Sequence, residues 1–226
     1  MTRMNIYDAP HKGLRNALSQ LQFLSGKTNY SQLNEVERLF DLGREVFRIL
    51  AIYIETENEI TLAELDTRCP GCAGFERAGH DRLQFEQRSI QDFISRIYSD
   101  VKADLKADDL GAEFHLLLSK YHANYLLHIA EEESVTQLLL WKHFTDEELM
   151  EHRYRIIEKN PPDALLTWVK FITPAQGPIE RVRFLICFKK VASEVLFNHA
   201  IKLLRLELPE EEFISLEREL REIMDC

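Results

Sequence analysis

His128 and Glu132 are the residues of this sequence best suited to chemistry. Residues four apart lie on one face of an α-helix, one turn from each other. An imidazole and a carboxylate are costly to bury among apolar groups unless a partner charge or a bound metal compensates them. The pair therefore predicts a buried metal-ligand set. The apolar stripe on which it lies also includes Tyr121, Tyr125, Val135 and Leu139.

Three other segments offer side chains that match this pair: His11, the pair Tyr53 and Glu57, and His80. Imidazole nitrogens and carboxylate oxygens are ligands that proteins give to iron, zinc and manganese. A single histidine on an apolar face is more often a hydrogen-bonded core residue than a ligand. The coincidence of such groups on four helices favours a metal centre inside a helical bundle.

The second helix offers two candidate pairs, Glu55 with Glu59 and Tyr53 with Glu57. At about 100° per residue, Glu55 and Glu59 align with a mainly charged face. Tyr53 and Glu57 align instead with the apolar face. We therefore expect Glu57 to be the inward carboxylate, placed to bridge two metal ions as in other di-iron bundles.

The elements that position these residues are all predicted to be helical. Only 8 Gly and 7 Pro interrupt the chain. Long helices with short connections are typical of an antiparallel, up-down four-helix bundle. We expect this bundle to span residues 1–143 and a helical C-terminal extension, residues 144–226, to pack on it. The four predicted helices cover residues 10–24, 32–66, 75–105 and 113–143.

Composition excludes several classes of function. The net charge of −10 argues against a nucleic-acid partner, because binding to phosphates depends on cationic side chains. No apolar run reaches the length of a membrane span, and the N-terminus lacks the apolar segment of a secretion signal. Four cysteines in a chain of this type indicate a reducing compartment. We expect a cytoplasmic protein with no membrane partner.

Four segments of the chain resemble the signature segments of the hemerythrin-like, or HHE cation-binding, family. The resemblance covers about residues 5–143, and LLWKHFTDEEL downstream is typical of longer bacterial members. It implies an up-down four-helix bundle that holds two iron ions bridged by carboxylates and can bind dioxygen. Some members of the family sense iron or oxygen. The four segments are PHKGLRNALSQL, IETENEITLAEL, GHDRLQ and YLLHIAEEE.

The resemblance also implies a ligand set. His11 would be the ligand from the first helix, Glu57 the bridging carboxylate from the second, and His80 the ligand from the third. His128 and Glu132 would be the pair from the fourth helix. Zinc or manganese could replace iron, because these ligands suit all three metals. The expected small partner is a diatomic ligand, such as dioxygen or nitric oxide, or peroxide.

Two positions depart from the family pattern. Tyr53 stands where the family usually has a histidine, and Gln84 stands where oxygen carriers commonly have a second one. A phenolate is a hard anionic ligand that stabilises ferric iron, whereas a neutral phenol could only donate a hydrogen bond. As a ligand, Tyr53 would favour the oxidised state and peroxide or oxygen chemistry over oxygen storage.

Two further interpretations remain open. In one, Tyr53 and Gln84 mark a degenerate or mononuclear site, and the chain is a non-catalytic interaction module. Its apolar C-terminal helices would then bind a protein partner or form a dimer. In the other, Cys69 and Cys72 form a redox thiol centre or half of a zinc site. The simpler reading of this CxxC segment is a loop between two helices.

Overall fold

The computed structural model describes residues 3–224, with the side chain of Met224 outside the description. The prediction of an all-α protein is confirmed, since residues 3–224 contain helices and no strand. The α-helices are α1 (Asp8–Lys27), α2 (Leu33–Thr56), α3 (Leu62–Arg68), α4 (Gly74–Lys102), α5 (Asp108–Glu131), α6 (Gln137–His143), α7 (Asp146–Lys159), α8 (Pro162–Ile172), α9 (Pro178–Val191), α10 (Glu194–Glu207) and α11 (Glu210–Met224).

The chain divides into two compact units. One consists of residues 17–145, and the other combines residues 1–16 with residues 146–226. We call them the site unit and the C-terminal unit. The second boundary lies two residues beyond the one predicted at 143, and the first sixteen residues belong with the C-terminal helices.

Within the site unit, α2 packs against α4, and α4 packs against α5. α2 continues into α3 through a π-helical turn, Glu57–Thr61, and α5 continues into α6 through a second one, Glu132–Thr136. α3 also packs against α6. The core between these helices is aliphatic and aromatic, and the predicted stripe of α4 is buried in it. That stripe comprises Leu83, Ile90, Ile94 and Ile97.

The two π-turns change which residues face the core. A π-turn holds one residue more than an α-helical turn, so the side chains after it are rotated by about 100°. Val135, predicted on the inward stripe, is therefore 54% exposed, and Leu139 is only half-buried. Thr136 and Leu140 are buried instead. After the first π-turn, Leu62 is likewise buried.

The turn between α3 and α4 contains a disulfide bond between Cys69 and Cys72. The segment is thus a turn between two helices, as the simpler interpretation predicts, and a covalent link closes it. The backbone N–H of Ala73 donates to the Asp66 carboxylate in the same turn, and Arg77 forms an ion pair with Asp66. The turn therefore joins the two helices by covalent and polar links.

The C-terminal unit has its own apolar core, formed mainly by helices α8 to α11. α8 packs against α10, and α9 packs against α11. Lys12 forms an ion pair with Glu180 at 2.7 Å, and Arg181 forms one with Glu212. Among residues 3–224, no helix is both long enough and apolar enough to cross a membrane.

Candidate metal centre

Three buried side chains in the site unit form a group with the spacing of metal ligands. His80 comes from α4, His128 from the last turn of α5, and Glu132 from the start of the second π-turn. Their ligand atoms all lie within 4.8 Å of one another. Glu132 Oε1 lies 3.2 Å from His80 Nε2 and 3.0 Å from His128 Nε2. Both imidazoles thus face the same carboxylate oxygen.

His80 has an acceptor at each ring nitrogen. Its Nδ1 lies 2.9 Å from the side-chain oxygen of Asn58, and its Nε2 faces Glu132. A carbonyl oxygen only accepts hydrogen bonds, so Nδ1 carries the proton and donates to Asn58. In the neutral tautomer, Nε2 then presents a lone pair to the carboxylate. A metal ion between Nε2 and Glu132 Oε1 would accept both lone pairs, so the two atoms would no longer repel each other.

His128 is arranged in the same way. Its Nε2 faces Glu132, and its Nδ1 lies 3.6 Å from Glu76 Oε2. Glu76 is 3% exposed and also accepts a hydrogen bond from the Thr136 hydroxyl. Burial raises the pKa of Glu76 above its ordinary value. A carboxylate behind a metal-binding histidine fixes the orientation of the ring.

Glu76 and Asn58 were not among the residues predicted from the sequence. Glu76 precedes His80 by four residues, so the spacing alone could have identified a second carboxylate–histidine pair on one helical face. Asn58 follows Glu57 directly and enters the first π-turn. A regular 3.6-residue period gives no signal for its contact with His80.

Tyr53 and Glu57 border the group from the second helix. The Tyr53 hydroxyl donates a hydrogen bond to Glu132 Oε2 at 2.9 Å, and Glu57 Oε2 lies 3.9 Å from His80 Nε2. Glu57 is 4% exposed, whereas Glu55 is exposed, so the inward carboxylate is the predicted one. Glu132 thereby presents one oxygen to two imidazoles and the other to a phenol.

The donor set fits a first-row metal ion. Nitrogen and oxygen ligands at about 2.0–2.2 Å from such an ion lie roughly 2.8–3.6 Å apart at right-angled or tetrahedral positions. The two contacts of Glu132 Oε1, 3.0 and 3.2 Å, fall in this range. The chain can therefore hold at least one ion between His80, His128 and Glu132. The geometry does not distinguish iron from zinc or manganese.

His11 belongs to the C-terminal unit. It is fully buried, and its ring stacks on Tyr7 with the ring centroids 4.8 Å apart. The residues that the structure brings together in the site unit are His80, His128, Glu132, Tyr53 and Glu57. The ligand role of His11 stays a prediction.

Comparisons with known proteins give a distant similarity. The chain is 22% identical over 157 residues to F-box/LRR-repeat protein 5 of Mus musculus and equally to the Bos taurus protein of that name. These matches cover 70% of this chain but only 22% of each relative. No family model matches the chain. No solved structure is similar at a significant level.

Proposed function

We propose that this chain is a hemerythrin-like metal-binding protein whose centre lies between α2, α4 and α5. The observation that carries the proposal is that each of two buried imidazoles lies between two oxygen acceptors, one beside each ring nitrogen. His80 faces Asn58 and Glu132, and His128 faces Glu76 and Glu132. A neutral imidazole has one N–H and cannot donate from both nitrogens. A cation at the two Nε2 atoms and Glu132 Oε1 satisfies all of these groups.

We propose two iron ions as the native occupants. The carboxylate of Glu132 supports a dinuclear site, because Oε1 faces the imidazoles and Oε2 faces Tyr53. Such a group is placed to bridge two ions. Tyr53 and Glu57, the latter the carboxylate expected to bridge the two ions, are the proposed residues of the second position. Iron bound there would supply a redox-active centre for dioxygen, peroxide or nitric oxide, in sensing, detoxification or storage.

The packing of the site unit supports the four-helix up-down bundle. α2 and α3, joined by the first π-turn, form one helical rod, and α5 and α6, joined by the second, form another. They correspond to the second and fourth predicted helices. α3 and α6 are the C-terminal ends of these rods, and they pack against each other. The C-terminal ends of the two rods therefore lie together, so the rods run in the same direction. Second and fourth helices are parallel in an up-down bundle.

A second candidate is a non-catalytic interaction module with a mononuclear site. Tyr53 stands in place of the imidazole that the family resemblance implies, which favours fewer ions. The matched relatives are named as F-box/LRR-repeat proteins, and the chain spans about a fifth of their length. A protein partner, or a second copy bound through the C-terminal helices, would be the ligand in this case.

Metal analysis separates these candidates. We expect protein expressed with added iron to carry about two ions per chain if the site is dinuclear and about one if it is mononuclear. Glu132→Gln should lose the metal, because a neutral amide oxygen replaces the shared carboxylate. Glu131→Gln is the matched control, since Glu131 is the exposed neighbour. Metal-free wild-type protein, or equal metal in both variants, would overturn the proposal.

A further inference from the structure

Tyr125 is a buried side chain at the edge of the centre whose hydroxyl takes no part in the contacts between the proposed ligands. It is fully buried, and its ring lies edge-on to His128 with the centroids 6.3 Å apart. Within residues 3–224, its hydroxyl has no hydrogen-bond partner. Buried hydroxyls are nearly always paired, so this one requires an explanation.

Neighbouring tyrosines show what a satisfied phenol looks like in this core. Tyr53 donates to Glu132, and Tyr121, one turn before Tyr125, donates to Gln87 Oε1 at 3.3 Å. Tyr125 lies between Tyr121 and His128 on the same helical face. It is also close enough to interact electrostatically with Glu132 and Glu57. Its donor is therefore beside the proposed ligands and is not committed to any of them.

We propose that the Tyr125 hydroxyl donates a hydrogen bond to a small anion that binds at the metal centre. This inference rests on the proposed function, since it requires a metal ion that takes an external ligand. The ligand class is a small anion with an exposed lone pair, for which azide is a suitable probe. Neutral diatomic molecules that accept no hydrogen bond would gain nothing from Tyr125, so the residue would determine specificity.

The test is an azide titration of the iron-loaded full-length protein, followed by visible absorption. Tyr125→Phe should weaken azide binding by about 10-fold or more, as expected for loss of a hydrogen bond to a charged group. The iron content should not change. Tyr121→Phe is the matched control, because it removes a buried hydroxyl that is already paired with Gln87. It should leave azide affinity unaltered.

Thermal melting of the metal-free variants gives an independent readout. Tyr121→Phe should melt below wild type, because Gln87 loses a partner, whereas Tyr125→Phe should melt at or above wild type, because no hydrogen bond is lost. Equal azide affinity in Tyr125→Phe and wild type, or no azide binding by iron-loaded wild type, would overturn the inference alone. Loss of iron in Tyr125→Phe would make Tyr125 a ligand and overturn it as well. A wild-type protein without metal would overturn the proposed function and, with it, this inference.

Discussion

The Tyr53 hydroxyl donates a hydrogen bond to Glu132 Oε2 at 2.9 Å, across a sequence separation of 79 residues. The contact joins α2 to the carboxylate that the imidazoles of His80 and His128 both face. It fixes the rotation of that carboxylate, so that Oε1 is directed to His80 and His128. Tyr53 therefore positions Glu132 even where it is not itself a ligand.

Replacing Tyr53 by histidine should strengthen metal binding. An imidazole would give the second helix the same HxxxE spacing as His128 and Glu132, and it is a better ligand than a neutral phenol. We expect Tyr53→His to hold metal at least about 10-fold more tightly than Tyr53→Phe, measured by competition with a chelator.

The Tyr53→Phe variant also tests the phenol itself. It should unfold with a free energy lower by about 1–3 kcal/mol, because Glu132 loses a buried donor. A visible band of iron-loaded protein that disappears in Tyr53→Phe would identify a phenolate ligand. An unchanged spectrum would restrict Tyr53 to hydrogen bonding. Equal metal affinity of Tyr53→His and Tyr53→Phe would contradict the gain predicted for the histidine.

Glu76 should contribute to metal affinity without touching the ion. Glu76→Ala removes the acceptor behind His128 Nδ1 and the partner of the Thr136 hydroxyl. Loss of such an outer partner typically weakens metal binding by about 10- to 100-fold. Asp81→Ala, an exposed carboxylate on the same helix, is the matched control. Equal chelator-competition curves for the two variants would rule out this role.

His122 should make the metal-free protein less stable as the pH decreases below neutrality. Burial lowers the pKa of His122 below its ordinary value of 6.5, and its Nδ1 is paired with Gln22 Oε1. Between 6.5 and the lowered value, the unfolded chain binds a proton that the folded chain does not. The free energy of unfolding therefore falls as the pH decreases through this window. In urea titrations across it, His122→Gln should show a smaller dependence on pH than wild type.

The disulfide between Cys69 and Cys72 should stabilise the turn between α3 and α4. Closing so short a loop is worth about 2 kcal/mol in the chain-entropy model. We expect a reductant to lower the melting temperature of wild type and to leave Cys69→Ser/Cys72→Ser unaffected. Thiol titration of denatured, unreduced protein should detect Cys187 but neither Cys69 nor Cys72. Detection of all four thiols would contradict the bond.

The hydrophobic periodicity of the sequence predicts which faces of the long helices are buried. The apolar stripes of α2 and α4 place Glu57 and His80 inside, and the burial of both agrees with the predicted faces. Hydrophobic periodicity reports the average period of a helix, so it identifies the faces of long regular segments well.

The same argument fails where the helix is not regular. A π-turn holds one residue more than an α-helical turn, but it has no signature in the composition of the segment. The regular helical period therefore predicts Val135 on the inward face, where the structure has Thr136. Asn58 has no such signal either, because it contacts a histidine on another helix. The spacing of Glu76 and His80 does identify a pair on one face, but it does not predict the contact of Glu76 with His128. Contacts between helices depend on their relative rotation, which a one-dimensional pattern does not contain.

Both π-turns begin at an inward glutamate and end at a buried threonine, Glu57 with Thr61 and Glu132 with Thr136. The two rods therefore carry the same irregularity at the same point, E-x-x-x-T after an aromatic or imidazole residue four positions earlier. Deleting one residue inside either segment would leave the preceding carboxylate in place and swing every later side chain of that rod by about 100°. Length within these two pentapeptides, more than the identity of their exposed residues, is thus what a redesigned or shortened version must preserve.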